Sequence, residues 1–165
     1  KENFLDCESA IGDLPSLINN QGEEVVDYSP IPKNKFQKYV MNSKKLYNHV
    51  ATKHKQFVID TIKLVPEGGN YKNLPEGIGE NRKFNEAWTR YHSKKPSKTI
   101  DTGHRNHFHY KYNRVPTVRE NARLQSFQDS FQFLGSRTSQ NFQVGNAVPP
   151  LFASLLASEL LKILK

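Results

Sequence analysis

The chain has 165 residues, 36% of them hydrophobic, with a mean hydropathy of −0.73 and a formal net charge of +8. That length suits one domain with a core, or one core plus a poorly buried lobe. A single cysteine, Cys7, excludes a disulfide framework and suits a reducing compartment, while no stretch approaches the ~20 apolar residues of a bilayer span and no basic-then-apolar leader opens the chain.

Charge is unevenly spread. Residues 1–32 hold one base and seven acids, residues 33–112 hold 17 bases and 6 acids, and residues 113–165 hold 6 bases and 3 acids. A basic middle interleaved with Tyr, Phe, His and Asn is the electrostatic footprint of a polyanion binder, whether DNA, RNA or anionic lipid. The opening on Lys1 rather than Met suggests a piece of a longer protein.

In chain order, "DCESAIGDLPSLI" (6–18) reads as a short helix ended by Gly12 and a Leu-Pro turn. "SPIPKNKF" (29–36) reads as a proline-broken linker. From Lys38 to Leu64 the pattern predicts helix, with Val50, Phe57, Ile59 and Ile62 buried. "PEGGNYKNLPEGIGEN" (66–81) has the glycine and proline chemistry of loops and tight turns. Residues 95–115 predict a short strand at Lys98–Asp101 inside an irregular basic-aromatic stretch.

"RVPTVRENARLQSFQDSF" (114–131) is different. Thr117 and Glu120 have the spacing of a reciprocal helix cap. Val118, Ala122, Phe127 and Phe131 recur at helical spacing, and Arg114, Arg119 and Arg123 are placed on the same element. After "QVGNAVPP" (143–150), the run "LFASLLASELLKILK" predicts a helix opened by Pro150. Ser154, Ser158, Lys162 and Lys165 form a narrow polar stripe; Leu151, Phe152, Leu155, Leu156, Leu160, Leu161, Ile163 and Leu164 fill most of the rest. A helix apolar around most of its circumference needs cover on several sides. The remaining residues look too polar to supply it.

Self-contained chemistry is sparse. His104, His107 and His109 form H-x2-H-x-H, with Asp101 as the nearest carboxylate in sequence, and no metal site is expected. The glycine-rich 68–79 segment lacks the Lys-Ser/Thr step of a phosphate loop. Cys7 sits in an acidic stretch that would raise its thiol pKa. Gly145-Asn146 before the last helix suits either close backbone approach to a ligand or a plain structural cap.

Two long motifs in fixed order carry a resemblance. Arg114, Thr117, Arg119, Glu120, Ala122, Arg123, Leu124, Gln125, Phe127 and Asp129, followed by Gln143 through Pro150, resemble motifs nine and ten of the DNA (cytosine-5)-methyltransferases. "AIGDLP" (10–15), "NHVA" (48–51) and "PEGGNYKNLP" (66–75) also look like segments flanking and entering that family's target-recognition region. Gln128 stands where the family usually has proline, and His109-Tyr110 where His-Pro is commoner. The family's Pro-Cys nucleophile, Glu-Asn-Val acid and methyl-donor loop do not occur in this sequence.

The resemblance implies an α+β chain: a small irregular recognition domain with a few short strands and helices, plus a C-terminal helix that would pack on a missing α/β S-adenosylmethionine-dependent methyltransferase domain. It divides into an acidic segment leading in from the catalytic domain (1–32), the target-recognition region (33–113), a motif-nine scaffold (114–142) and the motif-ten helix (143–165). It implies no catalytic residue in this chain, and S-adenosylmethionine contacts at Asn146 and Val148. Duplex DNA contacts are expected among Lys94, Lys95, Lys98, Arg105, Asn106 and His107, with Arg114, Thr117, Arg119, Glu120 and Arg123 structural. Expected partners are double-stranded DNA and the N-terminal catalytic half, with self-association of the isolated chain and no membrane. The setting would be a bacterial cytoplasm and a restriction-modification system. The competing reading is a stand-alone, non-catalytic DNA-binding module on the same scaffold; an RNA-binding domain fits less well, since no aromatic RNA-binding signature appears.

Overall fold

The computed structural model describes residues 4–18, 20–103 and 106–164. In chain order it contains α1 (Cys7–Ile11), β1 (Val25–Asp27), α2 (Lys35–Val40), β2 (Lys45–Tyr47), α3 (Gln56–Leu64), a 3-10 turn (Tyr71–Asn73), β3 (Thr89–Arg90), β4 (His107–Phe108), α4 (Val118–Leu124), α5 (Arg137–Asn146) and α6 (Pro150–Ile163). Short helices and a few very short strands make this the expected α+β arrangement.

Local chemistry accounts for several boundaries. Asp6 caps α1 by accepting from the Ser9 N–H at 2.7 Å, and Gly12 closes it. Asn34 caps α2 in the same way, directly after the proline-broken linker. Thr117 and Glu120 form the reciprocal cap of α4.

Several expectations are corrected. The 38–64 segment is not one helix: α2 ends at Val40, β2 pairs antiparallel with β1 in the register Val25↔Tyr47, and helix resumes only at Gln56. Asn48, at φ +60°, sits in that break. Ile62 is fully buried, but Phe57 is 66% exposed. Lys98–Asp101 is not a strand; the pairing segments are β3 and β4. Phe127 and Phe131 lie beyond the end of α4, where Ser126 at φ +66° turns the chain, and they cluster with Phe133 at centroid separations of 4.9–5.1 Å. Arg114 precedes α4 rather than lying on it.

α5 was not anticipated. Its hydrophobic share is low, and it is held by the Ser136 cap and a mainly polar buried face of Gln140, Asn141 and Val144. Taken together, residues 137–163 are long and apolar enough, by length and composition only, to cross a membrane. The chain bends between Asn146 and Pro150, so α6 alone has 14 residues, roughly 21 Å at 1.5 Å per residue.

The main core joins Cys7, Ile11, Leu46, Tyr91, Val118 and Val144, drawn from the whole length of the chain. A second, smaller core of Ile62, Val65, Phe108 and Val115 supports the middle. β3 and β4 are parallel, pairing Thr89 with His107 and Arg90 with Phe108. Parallel neighbours require a long return connection. Residues 91–106 provide it, and this is the segment carrying most of the expected DNA contacts.

Candidate nucleic-acid interface and its scaffold

The arginines of α4 and the turn before it face inward. Arg114 forks onto Glu120 with Nη1–Oε2 2.7 Å and Nη2–Oε1 2.6 Å. Glu120 Oε2 also accepts the Thr117 N–H at 2.7 Å, and Thr117 Oγ1 accepts the Glu120 N–H at 3.1 Å. Burial works against the charge on Glu120, but Arg114 overrides it and holds the carboxyl well below the usual carboxylate range.

Two histidines complete this cluster. His49 Nδ1 lies 3.0 Å from the Thr117 hydroxyl, and Nε2 lies 2.8 Å from the Pro15 carbonyl. The carbonyl can only accept, so Nε2 carries the proton and Nδ1 takes the hydroxyl hydrogen. His109 Nδ1 accepts N–H groups from Lys111 and Tyr112 at 3.0 and 3.2 Å, leaving Nε2–H to face Glu120 Oε1 at 3.6 Å. Burial lowers both pKa values, that of His109 to about 4, so both rings are neutral at pH 7.

A second cluster lies one turn further along α4. Arg123 makes a bidentate pair with Asp129, and its Nη1 reaches both oxygens of Asp13 at 2.9 and 2.7 Å. Tyr28 donates its hydroxyl to Asp13 as well. Arg119, fully buried, donates to the backbone carbonyls of Tyr47, Gln128 and Phe131. Burial lowers its pKa to about 10, which still leaves it charged at neutral pH. Two arginines and two carboxylates balance one another inside the protein. The two clusters tie the 13–15 turn, the segment after β2, the 109–115 turn and the 128–131 turn to one short helix.

α1, which packs against that helix, positions the basic crossover. The N–H groups of Cys7 and Glu8, unpaired within α1 by geometry, bond to the carbonyls of Lys95 and Ser93 at 3.0 Å each. Ile100 anchors the far side in the core at 6% exposure. Between these anchors Lys94, Lys95 and Lys98 are exposed. Lys94 pairs with Glu8 at 2.5 Å and Lys98 with Glu86 at 3.3 Å. Both pairs are solvent-exposed and weak enough to exchange for a phosphate.

The other expected contacts sit differently. Arg105 and His104 lie outside the described residues. Asn106 turns inward to donate to Asp101 at 2.5 Å. His107 is 8% exposed and stacked on Tyr91 at 5.2 Å, and its Nε2 has no hydrogen-bond partner among the described residues. His107 and His109 therefore belong to separate environments. Among the described residues no group of three metal-ligating side chains converges.

Gly145 lies within α5, not at the start of α6. A Cβ there would come within 2.9 Å of the Asp101 carbonyl and 2.8 Å of the Thr102 nitrogen, so glycine lets α5 press against the basic crossover. Asn146 and Val148 are exposed on the α5–α6 bend, Val148 by 58%. Every described α6 side chain from Leu151 onward is exposed, including Leu155 and Leu160 at 59% each. Arg82 and Trp88, outside the residues expected from the sequence, stack at 4.4 Å; an arginine six residues before the lone tryptophan, just after the glycine-rich stretch, was the available signal.

The chain is also similar to known proteins. The model of the C-5 cytosine-specific DNA methylase family matches residues 8–162. The type II methyltransferase M.DdeI of Desulfomicrobium norvegicum is 36% identical over 177 residues, spanning 95% of this chain and 43% of that protein. M1.HphI of Haemophilus parahaemolyticus is 43% identical over 122 residues, 72% of this chain and 32% of that protein. A crystal structure assigned as an E. coli prophage DNA modification methyltransferase matches with a TM-score of 0.73 over 96% of this chain and 47% of its own, at 21% identity, a likeness of fold. The chain spans less than half the length of these relatives.

Proposed function

Since the chain belongs to the C-5 cytosine-specific DNA methylase family, we propose that it is the DNA-recognition and C-terminal part of such an enzyme. The whole enzyme would transfer a methyl group from S-adenosylmethionine to carbon five of a cytosine in a duplex site, within a bacterial restriction-modification system and in the cytoplasm. This part grips and selects DNA; the attacking cysteine and most of the methyl-donor site belong to a partner half, in cis or as a separate subunit. Cys7 is not that nucleophile: it is fully buried, and burial next to Asp6 pushes its thiol up to about 12.

The observation that carries the reading is α6. An apolar helix that buries none of its side chains within its own chain is built to be covered by something else. The catalytic α/β domain is the surface that fits. A stand-alone DNA-binding module has no use for such a face. With that domain in place, Asn146 and Val148 on the bend before α6 would touch the methyl donor, through an amide that makes no hydrogen bond among the described residues and an exposed apolar side chain. The donor supplies the methyl group itself; these two residues supply only contact. On the DNA side, Lys94, Lys95, Lys98 and Arg105 offer charge to phosphates, while Asn106 and His107 shape the crossover from beneath.

A tritiated-methyl transfer assay on cytosine-containing duplex DNA tests the division of labour. The chain alone is expected to transfer nothing, and a catalytic half added in trans is expected to restore transfer. Methylation by this chain alone would refute the reading.

A further inference from the structure

A cleft of about 430 Å³ opens between α3 and the segment that leads into β3. Its walls include the aromatic faces of Phe57, Trp88 and Phe108, and its rim carries Thr61, His54 and Arg82. We propose that this cleft holds a single nucleobase lifted out of the DNA stack, lying on the indole of Trp88. The proposal rests on the DNA-binding reading above and adds a site to it.

Three observations carry it. The volume falls in the range of small-ligand pockets, about 300–1,000 Å³, and a purine fits comfortably. The floor is closed by Ile62 and Val115, both buried, so a stacked base pair cannot enter. Trp88 holds φ +55°, a left-handed backbone that a bulky aromatic rarely adopts. Such strain persists where the surroundings enforce it, and it gathers at ligand clamps. Gly79 permits the arrangement, since a Cβ there would stand 3.3 Å from the indole.

Arg82 marks where the base would lie. Its guanidinium covers the indole at 4.4 Å, and among the described residues it has no carboxylate partner. A planar cation on a π-face occupies the space that a stacked base takes. When the base enters, Arg82 moves to the neighbouring phosphate. His54 accepts the Val115 N–H at Nε2 (3.2 Å), and burial together with Arg114 lowers its pKa. The neutral ring therefore carries its proton on Nδ1, a donor for a base edge. Thr61 gives its hydroxyl hydrogen to the Phe57 carbonyl at 2.8 Å and keeps its oxygen as an acceptor. Lys53, Lys55 and Lys83 are exposed nearby in sequence, which suits the anionic backbone of a nucleotide. Two carboxylates near them are already engaged, Asp60 by Gln56 and Glu80 by the Gly77 N–H.

Trp88 is the only tryptophan in the chain, so its emission reports on the cleft alone. Two probes are titrated: adenosine monophosphate, and a 20-base-pair duplex with or without one unpaired adenine. The mononucleotide should quench Trp88, and the bulged duplex should bind about tenfold tighter than the paired one, the scale of one base stacked on an aromatic ring. Trp88→Ala should abolish the difference, Trp88→Phe should keep most of it, and Arg82→Ala should lower the salt slope by about one. Affinity for the paired duplex reads the DNA grip separately. No quenching by the mononucleotide together with equal affinities for the two duplexes would overturn the cleft whether or not the paired duplex binds. So would a bulge preference that survives Trp88→Ala in a variant with unchanged circular dichroism.

Discussion

Arg123 and Asp129 meet fork to fork in the centre of the protein, with Nε–Oδ1 2.9 Å and Nη2–Oδ2 2.7 Å, and neither is exposed at all. The same guanidinium also holds Asp13, so a single cation bridges two carboxylates from distant parts of the chain, with the buried Arg119 supplying the second positive charge.

Arg123→Met is therefore expected to cost about 3–5 kcal/mol, because it strands buried charge rather than merely deleting a contact. Urea denaturation monitored by circular dichroism measures it. Adding Asp13→Asn and Asp129→Asn to Arg123→Met should recover part of the loss, and full additivity of the changes would show that the three do not act as one unit.

His109 makes stability depend on pH. Its folded pKa is about 4, below the ordinary histidine value of 6.5 that the unfolded chain keeps, and its burial is the leading cause. Between those values the unfolded state binds the proton and the folded state does not, so stability is full above 6.5 and falls as pH drops toward 4. The loss across that window is roughly 3 kcal/mol at 1.36 kcal/mol per pH unit. His109→Gln should flatten the slope of urea midpoints measured between pH 7 and pH 4.5. A residual slope of the same sign is expected from His49, His54 and His107, whose pKa values are also lowered. An unchanged slope would place His109 outside this linkage.

Thr117→Ala removes two hydrogen bonds at once, the cap on the Glu120 N–H and the contact to His49 Nδ1. The expected cost is about 2 kcal/mol, the cap plus one buried group left unpaired. Thermal unfolding should report it while the ranking of DNA sequences in a binding assay stays the same. Altered ranking at equal stability would move Thr117 from scaffold to recognition.

The exposed face of α6 makes a prediction about solution state. The isolated chain should self-associate, and Leu155→Gln with Leu160→Gln should shift it toward monomer in sedimentation experiments without lowering its denaturation midpoint, since both residues are 59% exposed. Association that persists unchanged in the double variant would put the contact elsewhere.

How much of this was legible beforehand followed the range of the interactions involved. The caps of α1 and α4, the turn-rich 66–81 segment and the uncovered α6 depend on residues a few positions apart, and each could be read from spacing and residue type. The two methyltransferase motifs were readable for the same reason, being continuous. Tertiary structure decided the rest. Strands of two and three residues have too little pattern of their own, so the break at 41–55 and the parallel pairing of Thr89–Arg90 with His107–Phe108 come from partners far along the chain. Whether an arginine serves DNA or the core was equally invisible in one dimension: Arg119 and Arg123 are sealed among carbonyls and carboxylates, whereas Arg82 stays exposed against Trp88. A buried cation requires compensating groups brought from several segments at once, and only the folded chain assembles them.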